Sequence, residues 1–325
     1  MKVTAIIFIF YSWLIAGQAW SAQDWYWQGS GQLLLKSYSG STQAEKLSGF
    51  GVFISGDYLE QASFTIGYND NHTNYKSGLN SGLQDNDENI VFLSGRSNYY
   101  PDKLPGTLTL RLDGYVGNDE TSFQTTMSGP AMGAGFSQQF VTETVKDKFV
   151  VVYPTVSFIN YAKTVYADLG YAFSNYHSND SGTDDIEIVQ WTPTLGFGFN
   201  RGYDWLQLRT YLISLSSSNR VENKDTTSAL EAKWTHWFTA NAPVNLHSAR
   251  LTLLAGERIY AVDSDACSLC NVSDLQTGLF AIGAEWKLNE HASVLLQGGN
   301  EAYESLLLNA DYSSTYIYVY LSQNW

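Results

Sequence analysis

Short segments of alternating apolar and polar residues recur along the whole chain, and this period limits the folds that the sequence can adopt. The clearest segment, residues 106–116, places Leu108, Leu110 and Leu112 on one face and Thr109, Arg111 and Asp113 on the other. A helix would mix these two sets, whereas a β-strand separates them. The same alternation returns in 164–172, 248–260 and 277–288.

About fourteen such segments are present, each near the ten or so residues that a tilted membrane-spanning strand needs. They begin near residues 25, 47, 60, 89, 106, 146, 162, 186, 204, 227, 248, 275, 291 and 312. The sequence therefore predicts an all-β fold, a single antiparallel up-and-down transmembrane β-barrel of about 14 strands, with 12 or 16 as alternatives.

The connections alternate between tight and long, which is typical of short periplasmic turns and long extracellular loops. The predicted tight turns are 55–57, 101–105, 159–160, 200–202 and 288–290, and the predicted long loops are 70–88, 118–145, 176–185, 217–226 and 262–274. The 118–144 stretch is the longest, and it could fold inward as a constriction or cap the outside.

The first residues resemble an export signal. Lys2 precedes the apolar run 6–16, and small residues follow to Ala22. We expect a cleaved signal peptide over 1–22 and a barrel over 23–325, because the run is too short to span a bilayer as a helix. An uncleaved anchor helix is the alternative.

The composition fits a membrane barrel better than a soluble domain. Aromatic residues make up 15% of the chain and charged residues only 15%, against a usual ~25% charged. The net charge of -14 argues against a nucleic-acid partner. We expect no cofactor and no metal site, since no acidic run has the spacing of a calcium loop.

The last strand carries the most specific signal. Ile317, Val319, Leu321 and Trp325 share one face and end the chain on an aromatic residue. This resembles the C-terminal assembly signal of Gram-negative outer-membrane barrels, although Gln323 stands where an apolar residue is commoner. The whole layout resembles monomeric fourteen-stranded porins and channels. The resemblance implies an outer-membrane location and, as partners, the barrel-insertion machinery, membrane lipid and lipopolysaccharide.

The opposite face of each strand should line the lumen. The predicted lumen-lining residues are Arg96, Arg111, Asp113, Asp168, Arg209, Glu231, Lys233, Arg250, Arg258, Glu285, Lys287, Tyr316, Tyr318 and Tyr320. The seven basic and four acidic members give a net charge of +3. This set predicts either a mildly anion-selective pore for small hydrophilic solutes, or charge pairs that fill a narrow lumen.

The tyrosines, the tryptophans and the acidic residues outside the predicted lumen are interpreted as follows. The three tyrosines could form a stacking track for sugars, although packing across strands is the more frequent role. Trp205, Trp234 and Trp286 are interpreted as outward residues of the interfacial belt. The acidic excess is assigned to loops, at Asp85, Asp87, Glu88, Asp119, Glu120, Asp180, Asp184, Asp185, Asp263 and Asp265.

Cys267 and Cys270 are the only cysteines, and in an oxidising compartment they predict a local disulfide.

Three classes of function remain open. The first is a passive channel. The second is the barrel of an export or surface-assembly system for polysaccharide or protein, with separate periplasmic partners. The third is a rim enzyme built on His177 with Ser178 and Asp180. We expect no enzymatic activity, because a loop histidine is usually only solvated and no known outer-membrane catalytic motif matches.

Overall fold

The fold is a closed β-barrel of fourteen antiparallel strands in a computed structural model. The structure describes residues 24–41, 43–76, 83–127, 139–180, 183–216, 221, 224–239, 242–263, 268–269, 274–306 and 310–325. The barrel strands are β1 (Trp25–Ser39), β2 (Ala44–Tyr58), β3 (Ala62–Tyr75), β4 (Leu83–Tyr99), β5 (Gly106–Met127), β6 (Gln139–Asn160), β7 (Val165–Ser178), β8 (Ile186–Phe199), β9 (Asp204–Leu215), β10 (Thr226–Trp237), β11 (Leu246–Arg258), β14 (Leu275–Lys287), β15 (Ala292–Ser305) and β16 (Ala310–Asn324).

Four short elements of the described residues lie outside the barrel wall. A two-stranded ribbon joins β12 (Val262–Asp263) to β13 (Ser268–Leu269) between β11 and β14. Two 3-10 turns, Asn200–Gly202 and Pro243–Asn245, connect barrel strands. No helix in the described residues is long and apolar enough to cross a membrane.

Each barrel strand pairs with its neighbour in the chain, and β1 closes the barrel against β16. The closing seam is paired from Gln28↔Asn324 to Ser39↔Ser313 without a register shift. The sequence prediction of a fourteen-stranded up-and-down barrel is therefore confirmed. A closed barrel pairs the backbone groups of every strand, which is the condition for crossing lipid with β-structure.

The outer face carries an apolar belt. Large apolar side chains point outward and are exposed on strand after strand, among them Leu33, Leu35, Ile66, Val91, Leu93, Leu110, Leu112, Val150, Val156, Leu169, Leu195, Leu212, Leu230, Leu253, Phe280, Ile282, Leu296 and Ile317. Trp25, Trp27, Tyr58 and Phe64 form an aromatic cluster at the end of β1–β3 where the chain enters the barrel, with neighbouring ring centroids 5.3–6.0 Å apart. This belt and its aromatic border match a hydrocarbon layer and its interface.

Two predicted tight turns were placed wrongly. Residues 159–160 are the last of β6, and the chain turns at 161–164 instead. Residues 55–57 lie within β2, and the chain turns at 59–61 instead. Leu59 and Glu60 have φ of 48° and 58°, the left-handed values of a tight hairpin turn. The Asp57 carboxylate accepts the Glu60 backbone N–H at 2.8 Å, so Asp57 stabilises the turn from the last part of the strand.

The predicted long loops are also shorter than expected, because polar residues continue the strands. Asn71↔Glu88 and Asn74↔Asp85 are paired positions of β3 and β4. The β5–β6 ladder continues to Met127↔Gln139, far into the predicted 118–145 loop. Only residues 128–138 of that stretch lie outside the described part of the chain. The alternation of apolar and polar residues does not mark the ends of these strands, because both faces of a strand pair that extends beyond the membrane meet water.

Removal of Trp325 tests the end of the chain. Trp325 and Trp27 exchange two backbone hydrogen bonds, of 3.0 Å and 3.3 Å, which close the seam at its lower end. We expect deletion of Trp325 to lower the amount of heat-modifiable barrel in the outer membrane, because both the seam and the predicted assembly signal lose their last residue. Trp325→Phe should keep both and is the control. Equal levels of the deletion variant and the native protein, measured by gel shift of unheated membranes, would contradict this.

Candidate functional site

The lumen is divided into a packed half and an open half. Inward-facing side chains of β4 to β9 form an apolar core inside the barrel, which includes Ile90, Phe92, Tyr115, Phe149, Val151, Tyr153, Tyr176, Ile186, Ile188, Tyr211 and Ile213, each at most 2% exposed. A barrel interior of this width can be filled by side chains. Here side chains fill one side of it.

A segment of the connection after β11 completes the packed half. Residues 259–263, called the inner segment below, enter the lumen, and Ile259, Ala261 and Val262 are at most 2% exposed. The Tyr260 ring packs 5.1 Å from that of Tyr176 on β7. The chain therefore buries an apolar tetrapeptide against the inner wall of the barrel.

Polar contacts fix the inner segment in place. Gln190 of β8 forms two hydrogen bonds with the backbone of Val262, donating to its carbonyl at 2.9 Å and accepting its N–H at 3.0 Å. Arg209 Nη1 donates to Asp263 Oδ1 at 3.1 Å, and Arg209 lies 3.9 Å from Glu231 Oε1. These three charged side chains are at most 14% exposed. They form a buried network in which each charge depends on the others.

A glycine lets the chain bend inward. Gly256 has φ of +103°, and the β11–β14 register shifts between Ala255 and Arg258. A Cβ at Gly256 would lie 2.5 Å from the Ser228 carbonyl oxygen and 2.8 Å from Ala229 Cα. Only glycine fits this combination of dihedral and backbone approach, as expected for a β-bulge that redirects a strand end.

The structure shows an inward-folded segment in the connection after β11. In the 118–144 stretch, which the sequence left open as a constriction or an outer cap, β5 and β6 are paired as far as Met127↔Gln139, and 128–138 lie outside the described residues. The inner segment, 259–263, overlaps the end of the predicted strand segment 248–260 and the start of the predicted loop 262–274. Its signal in the sequence is the apolar run Ile-Tyr-Ala-Val at 259–262, which has no place in a solvated loop.

The open half is a cavity of about 890 Å³. Its lining includes Gly40 and Ala310, beside the loop ends of β1 and β16, and Trp237, the last residue of β10. The cavity therefore extends from near the extracellular rim to the periplasmic end of β10. Its polar lining comes chiefly from β1–β3, β10–β11 and β14–β16.

The charges that line this cavity differ from the predicted set. Among the described residues, seven carboxylates lie in the lining, namely Glu88, Asp119, Asp147, Glu231, Asp263, Asp274 and Glu301. Four basic side chains face them: Lys36, Lys233, Arg250 and Arg258. Glu88 and Asp119 were assigned to loops but lie on the inner faces of β4 and β5. The basic excess that the sequence suggested is absent from this lining.

The remaining predicted lumen residues are on inner faces, mostly in ion pairs. Arg96 pairs with Asp57 at 2.8 Å, Arg111 with Asp113 at 2.8 Å and Arg250 with Glu285 at 2.9 Å. Lys233 lies 3.8 Å from Glu231, Asp168 accepts the Tyr166 hydroxyl at 2.7 Å, and Lys287 is exposed at the end of β14. Arg258 donates to Gln276 at 2.6 Å and stacks over Tyr211.

One buried pair was missed by sequence reasoning. Lys36 Nζ lies 2.6 Å from Glu301 Oε2, with both side chains at most 12% exposed on the cavity wall. Tyr303 and Ser314 hydroxyls donate to the same carboxylate oxygen at 2.7 Å and 2.8 Å. Lys36 follows Gln32 and Leu34 on the inner face of β1, so the alternation of that strand could have revealed it.

The tyrosines of β16 stand in this open half. Tyr312, Tyr316, Tyr318 and Tyr320 all line the cavity. Tyr312 donates to Asp274 at 2.7 Å, Tyr318 donates to Gln32 at 2.9 Å, and Tyr316 accepts from Gln297 at 2.8 Å. Burial raises the pKa of the Asp274 carboxyl, which lies in the connection before β14, although the hydrogen bond from Tyr312 opposes that shift.

The sequence placed Trp205 in the outer aromatic belt, and the structure does not. Trp205 lies on the inner face, not in the outer belt, because it shares that face with Arg209 and its ring would contact a Cβ at Gly196 of β8.

His177 Nδ1 is 2.8 Å from both Asp185 carboxylate oxygens. His177 is exposed and Ser178 is buried, as neighbours on opposite faces of β7.

The predicted disulfide lies outside the described residues, as do the signal peptide and Asp265. We expect Cys267 and Cys270 to be oxidised in the native protein, because the oxidising periplasm precedes assembly. A membrane-impermeant maleimide should then label the protein only after reduction. Labelling before reduction, with a Cys267→Ser and Cys270→Ser variant as the unreactive control, would contradict the bond.

The fold, the apolar outer belt and the partly polar lumen define a transmembrane β-barrel of the Gram-negative outer-membrane class. No protein-family model matches the chain, and no curated protein matches it in sequence. Among solved structures it is similar to a FadL homologue of Pseudomonas aeruginosa, at 9% identity over 93% of this chain and 90% of that chain, with a TM-score of 0.53. It is also similar to the toluene transporter TodX of Pseudomonas putida, at 10% identity over 94% and 91%, with a TM-score of 0.53. At these identities the similarity is one of fold.

Proposed function

We propose that this barrel is a passive outer-membrane channel for small hydrophilic solutes. The observation that carries the proposal is the cavity inside the closed barrel, which extends along most of its length. Amide, hydroxyl and charged groups from at least eight strands face it, including Gln32, Asn69, Asn71 and Gln297. Such a lining suits a hydrated path, because water and polar solutes satisfy groups that an apolar solute would leave unpaired.

The charge of the path favours a weak preference for cations. Of the arginines on which an anion preference would depend, Arg209 is buried behind Asp263, and Arg111 is paired with the fully buried Asp113. The cavity lining instead has more carboxylates than basic groups. Charges at the wall of a narrow path act at short range and are screened less than distant surface charges. We therefore replace the expected anion selectivity with a mild cation preference.

The solved neighbours suggest a competing class of solute. TodX is described as a toluene transporter, and a similar lumen here would carry small hydrocarbons. The polar wall around Gln32 and Asn69, whose amides are 2.6 Å apart, favours hydrophilic solutes instead. Swelling of proteoliposomes in isosmotic arabinose tests the choice. We expect swelling above that of protein-free liposomes. Uptake of toluene without arabinose swelling would contradict the proposal.

A second candidate follows from the packed half of the lumen. An apolar core around Phe92, Tyr115 and Phe149 narrows the barrel, and a filled barrel suits an export or surface-assembly system with separate periplasmic partners. Absence of both swelling and conductance in a correctly folded preparation would favour this role. We propose no catalytic step, because His177 and Ser178 point to opposite faces of β7.

A further inference from the structure

We infer that the inward tyrosines of β16 form a stacking track for neutral saccharides. The tyrosine track consists of Tyr312, Tyr316, Tyr318 and Tyr320, all in the lining of the open cavity. This inference rests on the proposed channel function and names its substrate class. A tyrosine face can cover the apolar face of a pyranose ring, while nearby polar groups bind its hydroxyls.

The spacing of the track follows from the strand. Residues two apart on a strand share a face and rise by about 7 Å, so Tyr316, Tyr318 and Tyr320 succeed one another along one wall. From Tyr312 to Tyr320 the track covers about 27 Å of strand. It therefore follows the long direction of the cavity, and within it Tyr318 and Tyr320 are two successive accessible rings on one wall.

The rings of the track are held in position, and all of them except Tyr316 are only partly buried. The hydroxyls of Tyr312, Tyr316 and Tyr318 are held by Asp274, Gln297 and Gln32 on other elements. Tyr312, Tyr318 and Tyr320 remain only half-buried. The aromatic side chains of the packed half differ in this respect, since Phe92 and Tyr211 are completely buried. Tyr318 and Tyr320 are therefore held at a surface that a solute can reach, whereas Tyr316 is only 8% exposed and the Tyr312 ring stacks on that of Tyr303 with centroids 5.0 Å apart.

The surroundings of the track select against other ring-shaped solutes. Gln32, Asn69, Gln297 and Glu301 lie beside it and offer both donors and acceptors. A hydrocarbon would bury these groups without replacing their water hydrogen bonds. An anionic sugar would meet the carboxylate excess of the lining. A neutral saccharide has the ring face for the tyrosines and the hydroxyls for the amides.

The test is interruption of single-channel current by a linear sugar, with maltohexaose as the probe. Maltohexaose should block the native channel reversibly and toluene should not. Replacing Tyr318 and Tyr320 together by Leu keeps side-chain bulk but removes both ring faces, and should raise the half-blocking concentration about tenfold or more. The Phe pair at the same positions keeps the rings and should stay within about threefold of native. Each variant is compared only after it shows heat-modifiable migration.

The outcomes separate this inference from the proposed function. Normal conductance without sugar block, or equal weakening by the Phe and Leu pairs, overturns the tyrosine track and leaves the channel intact. No conductance overturns the proposed channel. Binding of maltohexaose to the tyrosine track is then tested by saturation-transfer NMR with the barrel in micelles. A signal lost in the Leu pair supports the track, and no signal with the native protein overturns it.

Discussion

Replacing Arg209 by Met is expected to lower the free energy of unfolding of the barrel by about 3–5 kcal/mol. The guanidinium is almost completely buried between Asp263 and Glu231, and it also donates to Thr194 at 3.3 Å. Met fills much of the space but leaves two buried carboxylates without their shared cation. Breaking such a network from one side costs more than the network contributes as a whole.

The measurement is urea unfolding of the barrel in lipid vesicles. Arg250→Met is the matched control, because Arg250 also has a carboxylate partner, Glu285, but both side chains are more exposed than those of the Arg209 network. We expect a loss of about 1 kcal/mol or less for that variant. Equal losses for the two substitutions would show that the inner segment is not held by a buried charge network.

Val262→Asp is expected to release the inner segment and increase the single-channel conductance about twofold or more, because one wall of the lumen withdraws. Val262 is 1% exposed and belongs to the apolar core, so a carboxylate there would lose its hydration. That penalty is several kcal/mol. It exceeds what the two hydrogen bonds between Gln190 and the Val262 backbone contribute, at about 1 kcal/mol each.

Val262→Ala is the control for this substitution. It removes two methyl groups but keeps the backbone hydrogen bonds to Gln190, so the segment should stay in place and the conductance should remain near native. Proteolysis from the extracellular side gives a second readout, since a released segment becomes a substrate. Native conductance and native protease resistance in Val262→Asp would mean that the segment does not bound the solute path.

The barrel could be predicted from the sequence because its signal is local. In segments such as 106–116, two faces of one strand meet lipid and lumen, and this contrast is visible within ten residues. Each of the fourteen strands repeats it, and the start positions were found within a few residues for most of them. The ends of β3 to β6 on the loop side were not predicted, because outside the membrane no apolar face marks where the paired strands stop.

The site depends on contacts that no local pattern encodes. Lys36 meets Glu301 only because β1 closes the barrel against β16, which brings β15 within reach of it. Arg209 was placed correctly on an inner face, but its partner Asp263 comes from a segment that had been assigned to the outside. The predicted charge of the lumen was wrong for this reason. Inner-face residues can be counted from sequence, but which of them remain at the open cavity depends on how the other half packs.

The reversal potential of the purified barrel in a planar bilayer, under a potassium chloride gradient, tests the central claim most directly. We expect discrete conductance steps and a reversal potential of the sign that indicates a mild preference for potassium, which Asp147→Asn should reduce. An anion-selective current would contradict the assignment of the cavity lining. A folded, heat-modifiable barrel that conducts no current at any voltage would contradict an open lumen altogether.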